Sequence, residues 1–299
     1  MISKTNIFPI QILAAENFPR ALKSIPNAPK QLYYRGTLPD FKHSWIAMVG
    51  TRRPSIHAEE ICRALVKNLI DTDAIVVSGL AQGIDSFCHS AALEFHIPTV
   101  AVIAQGLDAP LGGSRKMIAD KILENGGTIL SEYPGSMISR NFMFPQRNRI
   151  IAGLSRSITL VESKLQGGGM ITVDYAEKFQ RRILALPGNI LAETAQGPNF
   201  LIAKGKAHPI WNASDFSDLC GAKRLSDQTP ADLLAAGIEL SENAKNLFSK
   251  NAGFTHSLDE LCTSSSIPVS SLLAILTELE IAGLVHSKDG DAFHFSSME

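Results

Sequence analysis

Four short stretches of this sequence carry the residue types needed to hold an anion. Gly50-Thr51-Arg52-Arg53-Pro54-Ser55 combines a glycine, hydroxyls and two guanidinium groups. Between a strand and a helix, such a stretch meets phosphate with backbone N–H groups and the helix dipole. Arg52 or Arg53 would add a bidentate clamp. Ser78-Gly79-Leu80-Ala81-Gln82-Gly83-Ile84-Asp85 places two glycines four apart, where a ligand can approach the backbone closely. Asp85 is also placed to cap a helix. Arg140-Asn141-Phe142-Met143-Phe144-Pro145-Gln146-Arg147-Asn148-Arg149 interleaves cations with aromatic faces, as single-stranded nucleic acid requires for its phosphates and bases. Within it, the spacing of Phe142 and Phe144 favours core anchors, and Arg149 could pair with an internal carboxylate such as Glu162. Gln166-Gly167-Gly168-Gly169-Met170-Ile171-Thr172 sets three glycines before a helix, a second phosphate cradle.

Other chemistry is sparse. The glycine spacings match neither G-x-G-x-x-G nor G-x-x-x-x-G-K-[ST], so the common dinucleotide and ATP loops are not supported. His57, His89 and His96 stand without nucleophile or metal spacing, and neither a metal nor a cofactor is expected. Glu132 and Glu162 each end a strand and could form an acid/base pair. Cys62, Cys88, Cys220 and Cys262 are widely separated, which fits free thiols in a reducing cytoplasm. No run approaches the ~18 uncharged apolar residues of a membrane span. The N-terminal apolar stretch is broken by Pro9 and Glu16 and makes a poor signal peptide. A soluble, cytoplasmic protein is expected.

The elements that must position these loops follow from the apolar pattern. Segments 45–50, 74–79, 98–104, 127–132, 157–162 and 182–188 are rich in Val, Ile and Leu without alternation, as strands buried on both faces of a parallel sheet are. Stretches 56–71, 84–95, 114–125 and 169–180 are long enough for crossover helices. The alternation predicts an α/β domain with a doubly wound, mainly parallel sheet, whose ligands bind at the carboxyl ends of the strands. Residues 31–36 (QLYYRG) could add a short edge strand. The polar stretch 221–240 reads as a linker. Beyond it lie two helices around a turn and a two-stranded wing with an Asp-Gly turn, a small winged-helix module.

The net charge of −1 over 299 residues hides an asymmetry. Residues 1–225 hold 25 Lys and Arg against 18 Asp and Glu, a balance of +7, whereas residues 226–299 hold 3 against 11, a balance of −8. A polyanion would therefore bind the first part.

Taken in order, the loops resemble the DNA-processing protein A (DprA/Smf) family. The resemblance rests on MVGTRRPS (48–55), VSGLAQGIDSFCHSAAL (77–93), SEYPG (131–135), FPQRNRIIAGLS (144–155), GGGMIT (167–172) with Ala176-Glu177, and ALPGNI (185–190). It spans roughly 33–215, with NFLIAKGKA (199–207) as a closing element, and the winged helix extends it further. It implies an N-terminal extension over 1–44, an extended Rossmann-like domain over 45–220, a linker over 221–240 and a winged-helix-like domain over 241–299. It also implies sequence-independent binding of single-stranded DNA, loading of RecA onto that DNA during transformation, and no catalysed reaction. Carried onto this chain, Gly50, Thr51 and Arg52 would hold backbone phosphate. Ser78, Gly79, Gly83 and Asp85 would form the pocket, with Arg147, Asn148 and Arg149 on its rim, and the residue types of the third and fourth loops add Arg140, Gly168 and Gly169 as candidates for the same strand. The family dimerises through the Rossmann domain, which makes Phe200–Ile202 a candidate contact.

The sequence departs from the family pattern in three places. The 44 residues before the core leave little room for a helical domain. GLDAPLGGSRK (106–116) carries Leu-Gly-Gly where Tyr-Pro is usual, which implies a differently shaped loop. GGGMIT replaces the commoner Gly-Ser-Leu-Ile-Thr and removes a hydroxyl.

Two further readings complete the expectations. GGGMITVDYAE (167–177) is similar to the Pro-Gly-Gly-x-Gly-Thr-x-x-Glu segment of nucleotide phosphoribohydrolases, so an enzyme acting on a nucleoside monophosphate is the alternative, although the Pro is missing and Glu177 is displaced. The winged helix has Glu278 and Glu280 and no Lys or Arg over 268–282, so it is expected to bind protein or pack on the main domain rather than read DNA.

Overall fold

The structure, a computed structural model, describes residues 8–225, 240–265, 267–282, 284–288 and 292–295. The chain divides into two compact units, residues 1–70 with 74–222 and residues 71–73 with 223–299.

In the first unit β1 (Gln11–Ala14), a one-turn helix α1 (Arg20–Lys23) and β2 (Gln31–Gly36) precede the core. The predicted strands follow as β3 (Ser44–Val49), β4 (Ala74–Ser78), β5 (Thr99–Ile103), β6 (Thr128–Ser131), β7 (Ser157–Leu160) and β8 (Arg182–Ala185), with a two-residue β9 (His208–Pro209). Between and after them run α2 (Ala58–Lys67), α3 (Ile84–Glu94), α4 (Gly113–Glu124), α5 (Met143–Leu154), α6 (Gly168–Lys178), α7 (Gln196–Ala203) and α8 (Phe216–Cys220). The nine strands lie in the order β1-β2-β6-β5-β4-β3-β7-β8-β9. From β6 to β9 all neighbours are parallel.

From β3 to β8 both faces of this sheet are buried, which is why those strands show no alternation. Trp45, Ala47 and Val49 of β3 pack with Ile150 and Ile151 of α5 and Val173 of α6 on one side. Ile46 and Met48 pack with Cys62 of α2 and Ile84 and Cys88 of α3 on the other.

The order of the strands fixes where a ligand can enter. The chain steps from β3 outward to β6, then returns to place β7 on the other side of β3. The crevice at the carboxyl ends of β3 and β7 is therefore the topological switch point. Loop 50–55 leaves β3 there, and loop 161–167 leaves β7.

Two expectations are corrected. Strand 31–36 is not at an edge, because β2 pairs antiparallel with β1 and with β6, and β1 is outermost. The stretch 140–149 is mostly helix: α5 begins at Met143 and carries Arg147, Asn148 and Arg149. Pro145 fits its first turn, where a missing N–H breaks no helical hydrogen bond.

The second unit contains α9 (Glu242–Asn251), β10 (Thr255–Ser257), α10 (Leu258–Ser265), α11 (Val269–Ile281), β11 (Val285–Lys288) and β12 (Ala292–Phe295). Its sheet runs β10-β12-β11, so a third helix and a third strand join the predicted pair and wing. Leu247, Phe248, Leu261, Leu272, Leu276 and Phe295 form its core. The Asp-Gly turn of the wing and positions 226–239 of the predicted linker lie outside the described residues. Among the described residues no single helix is long and apolar enough to cross a membrane.

Candidate nucleic-acid interface

A cavity of about 580 Å³ opens at the switch point. Gly50, Thr51, Arg52 and Arg53 line it from the end of β3, and Lys164, Gly168 and Gly169 from the β7 side. Phe144, Arg147 and Asn148 of α5 and Asn141, two residues before it, close it, and Ala81 and Asp85 complete the lining.

The first loop is held from two directions. Thr51 N–H donates to the Glu162 carbonyl at 2.8 Å, while the Glu162 carboxylate accepts from Ser55 N–H at 2.8 Å and from the Ser55 hydroxyl at 2.5 Å. On its other side the Thr51 carbonyl accepts from Ile84 N–H at 3.3 Å. Gly83 has φ +82°, and a Cβ there would come within 2.4 Å of the Thr51 carbonyl oxygen, so only glycine lets the two loops touch. With the loop anchored, Arg52 and Arg53 project to solvent. The Arg52 guanidinium lies over the Phe144 ring, 5.0 Å from its centroid. A cation stacked on an aromatic face, half open to water, can meet a phosphate with one side and leave the ring edge for a base.

Arg147 behaves differently. Its side chain is buried, and one terminal nitrogen donates to the carbonyls of Gly79, at 2.5 Å, and Val102. A Cβ on Gly79 would fall within 2.2 Å of that guanidinium, so glycine is required for Arg147 to seat. Burial pulls the Arg147 pKa down to about 10, against the opposing pull of Asp85. Asp85 is itself buried and does not cap α3. Its carboxylate accepts from Gly79 N–H at 3.1 Å and Ala81 N–H at 3.3 Å, which fixes the second loop. Burial raises its pKa, and Arg147 together with these N–H groups works against that rise.

The fourth loop supplies N–H groups. Gly167 precedes α6 without a side-chain cap, and a Cβ on Gly168 would meet nothing within 4 Å. The first turn of α6 thus points uncapped N–H groups into a cavity rimmed by Arg52, Arg53 and Lys164. This is the arrangement that binds phosphate.

Not every predicted residue reaches the cavity. Ser78 is fully buried and its hydroxyl donates to the Met48 carbonyl at 2.6 Å, and neither Gly79 nor Gly83 lines the wall. Arg149 faces away and pairs with Glu132 through both carboxylate oxygens at 2.6 Å, not with Glu162. Glu132 and Glu162 end strands four sheet positions apart, about 19 Å, and cannot act as an acid/base pair. Arg140 lies beside the cavity, in a neighbouring groove. Phe142 is exposed and Phe144 half-buried, so neither is the core anchor their spacing suggested; Met143 between them is buried. Glu177 sits near the far end of α6, paired with Lys206, and does not line the cavity. Leu201 of the candidate dimer contact is buried in the core, which leaves Phe200 as its exposed member.

Sequence reasoning missed Lys164, which lines the cavity, and Arg115, which stands near Arg52. Arg115 donates to the Leu80 carbonyl at 2.8 Å, and burial and the nearby Arg52 lower its pKa. The signal available was a basic pair, Arg115-Lys116, in the first turn of a glycine-initiated helix.

A family model described as DNA recombination-mediator protein A matches residues 10–221, and one described as DprA winged helix domain matches residues 254–291. Protein Smf of Synechocystis sp. is 31% identical over 92% of this chain and 77% of its own length. The DNA processing protein DprA of Streptococcus pneumoniae is 37% identical over 66% of this chain and 70% of its own. Its X-ray structure superposes with a TM-score of 0.64 at 35% identity, over 70% of this chain and 72% of that one. The DNA processing protein A of Helicobacter pylori, in a structure described for its single-stranded DNA binding mode, gives a TM-score of 0.63 at 29% identity, over 71% of this chain and 95% of that one.

Proposed function

Because this chain belongs to the DNA recombination-mediator protein A family, we propose that it binds single-stranded DNA without base preference, in the cytoplasm, and delivers the strand to RecA. The observation that carries this reading is the Arg52–Phe144 stack beside the uncapped first turn of α6, at the switch point of the sheet. Phosphates would lie between Arg52, Arg53, Lys164 and the N–H groups of Gly168 and Gly169. A base would rest against Phe144. These contacts involve backbone and ring faces, which every nucleotide presents alike. Arg147 and Asp85 hold the wall in shape, with Arg147 adding positive potential from below. Thr51 and Gly50 place Arg52, and Asn148 offers an amide at the rim.

We assign no catalysed reaction to this site. Among the described residues Asp85 is the one carboxylate on the cavity wall, and its Oδ2 accepts from the N–H groups of Gly79 and Ala81. A hydrolase that uses Glu177 would need that side chain in the cavity, whereas it pairs with Lys206. A homodimer through the first unit, with Phe200 at the contact, belongs to the same reading.

Fluorescence anisotropy of a labelled oligo-dT, with mixed-sequence and duplex competitors at two salt concentrations, tests this function. Binding should favour single strands of any sequence and weaken with salt by about 0.7 log units per phosphate contact and log unit of salt. Absence of binding, or a base preference that survives high salt, would overturn it. Faster RecA assembly on strands precoated with a single-strand-binding protein tests the delivery step.

A further inference from the structure

The cavity engages Asn141 and Phe144 and leaves the segment just before them without a role. Met137, Ile138 and Phe142 are 43%, 70% and 53% exposed. With Ser139, Arg140 and Met143 they line a separate open groove of about 530 Å³. The segment is held in place. The Met137 carbonyl accepts from Gly106 N–H at 2.8 Å, and Met143 N–H donates to the Arg140 carbonyl at 2.9 Å as the chain turns into α5. The Arg140 side chain is exposed and forms no ion pair among the described residues, and no carboxylate lines the groove. Asn141, between Arg140 and Phe142, lines the first cavity, so the two depressions are joined along one piece of chain.

We propose that this groove is a second subsite for the same DNA strand, taking nucleotides beyond those the cavity holds. Phe142 stacks a base, Arg140 meets the adjoining phosphate, and Met137 and Ile138 form an apolar floor. The proposal rests on the single-strand reading above. A nucleic acid is favoured over a protein partner because the Arg140–Phe142 combination repeats the cation-and-ring chemistry of Arg52–Phe144, on the same rim. Arg140 also brings the groove a positive charge that no carboxylate on its wall offsets, as phosphate requires.

The test measures dissociation constants for oligo-dT of about 4 and about 16 nucleotides, the span of single-strand site sizes, with sedimentation velocity of each variant. Phe142→Ala should weaken the longer strand by about tenfold and leave the shorter one unchanged, and Phe142→Trp should restore it. Arg140→Ala should reduce the salt slope by about 0.7 for the longer strand alone. Equal losses on both lengths, no loss, or a changed oligomeric state without length dependence would overturn the subsite; the last would mark a face between copies of the chain. Arg52→Ala should weaken both lengths. A wild-type protein that binds neither strand would overturn the parent reading and this one together, which separates that failure from a failure of the groove alone.

Discussion

The two units carry helices that begin without a side-chain cap, yet only one offers an anion anything. In the first unit α6 opens behind Gly167 with free N–H groups, facing a rim of Arg52, Arg53 and Lys164. In the winged-helix unit α11 follows Pro268 and presents Ser270, Ser271, Leu273, Ala274, Thr277 and Glu280 to solvent, with no cation among them. Its other acid, Glu278, accepts from the Ser241 N–H and hydroxyl. The balances of +7 and −8 sharpen the contrast. A winged helix is a shape that many DNA readers use, but the phosphate backbone is recognised by charge, and this copy has the wrong sign. On the proposed reading, function follows the placement of charge on the fold, and each half of that statement can be broken separately.

The largest effect is expected at Arg147. Truncation to Ala would remove a buried guanidinium, orphan the Gly79 and Val102 carbonyls and leave Asp85 without its compensating charge. Loss of about 3 kcal/mol or more is expected in urea unfolding. Arg147→Lys should rescue little of it, because an ammonium lacks the planar fork. A stable Arg147→Ala protein that binds less DNA would instead make Arg147 a direct contact.

Acid should act next, through the core of the first unit. His89 is fully buried, its Nδ1 within 2.8 Å of the Thr99 hydroxyl, and its pKa is held at about 3 by burial and by the Arg147 charge. The ordinary value of 6.5 applies in the unfolded chain. The folded state therefore binds fewer protons below pH 6.5, and stability is lost progressively as pH falls from 6.5 towards about 3. Between pH 6.5 and about pH 5 the loss should be about 2 kcal/mol, and His89→Leu should flatten the slope whatever its own stability. A wild-type unfolding curve that ignores pH in this window would show that His89 is hydrated.

Arg52→Ala comes third. Arg52 is exposed, so the fold should be untouched, while affinity for single strands falls about tenfold, equally for all sequences. A loss confined to one base composition would mean that the Phe144 stack reads bases.

Much of this was legible in the sequence because burial on both faces writes unbroken apolar runs, and all six core strands follow from them. The first and fourth loops were legible as cavity wall because glycines at strand ends stand out in the sequence, and Gly50, Thr51, Arg52, Gly168 and Gly169 all line the cavity, whereas Ser78, Gly79 and Gly83 of the second do not. Helix α5 was not legible, since Pro145 and Asn148 are poor helix formers that read locally as a loop, and it is the packing of Ile150, Ile151 and Leu154 into the core that fixes the segment as a helix. The same limit hid the division of labour among the arginines. Arg52, Arg147 and Arg149 are one residue type, and their different fates depend on Phe144, Gly79 and Glu132, partners that are distant in sequence. The inner position of β2 was hidden because pairing on both sides depends on β1, a strand of four residues.

The smallest effect should come from the acidic unit, and it tests the comparison most directly. A chain ending at residue 225 keeps the buried clusters of the α/β unit and every residue of the cavity and the groove. Its affinity for oligo-dT should be unchanged or slightly tighter, since a balance of −8 has been removed and no cation on α11 has been lost. Raising salt should erase even that gain, because the repulsion between exposed charges and phosphate is screened beyond about 10 Å at 0.1 M. Melting and sedimentation would show that the truncated chain stays folded. A drop of about tenfold or more in such a protein would mean that the winged helix reaches DNA through contacts other than charge. In that case the apolar positions Val269 and Leu273, 51% and 43% exposed at the start of α11, become the residues to substitute.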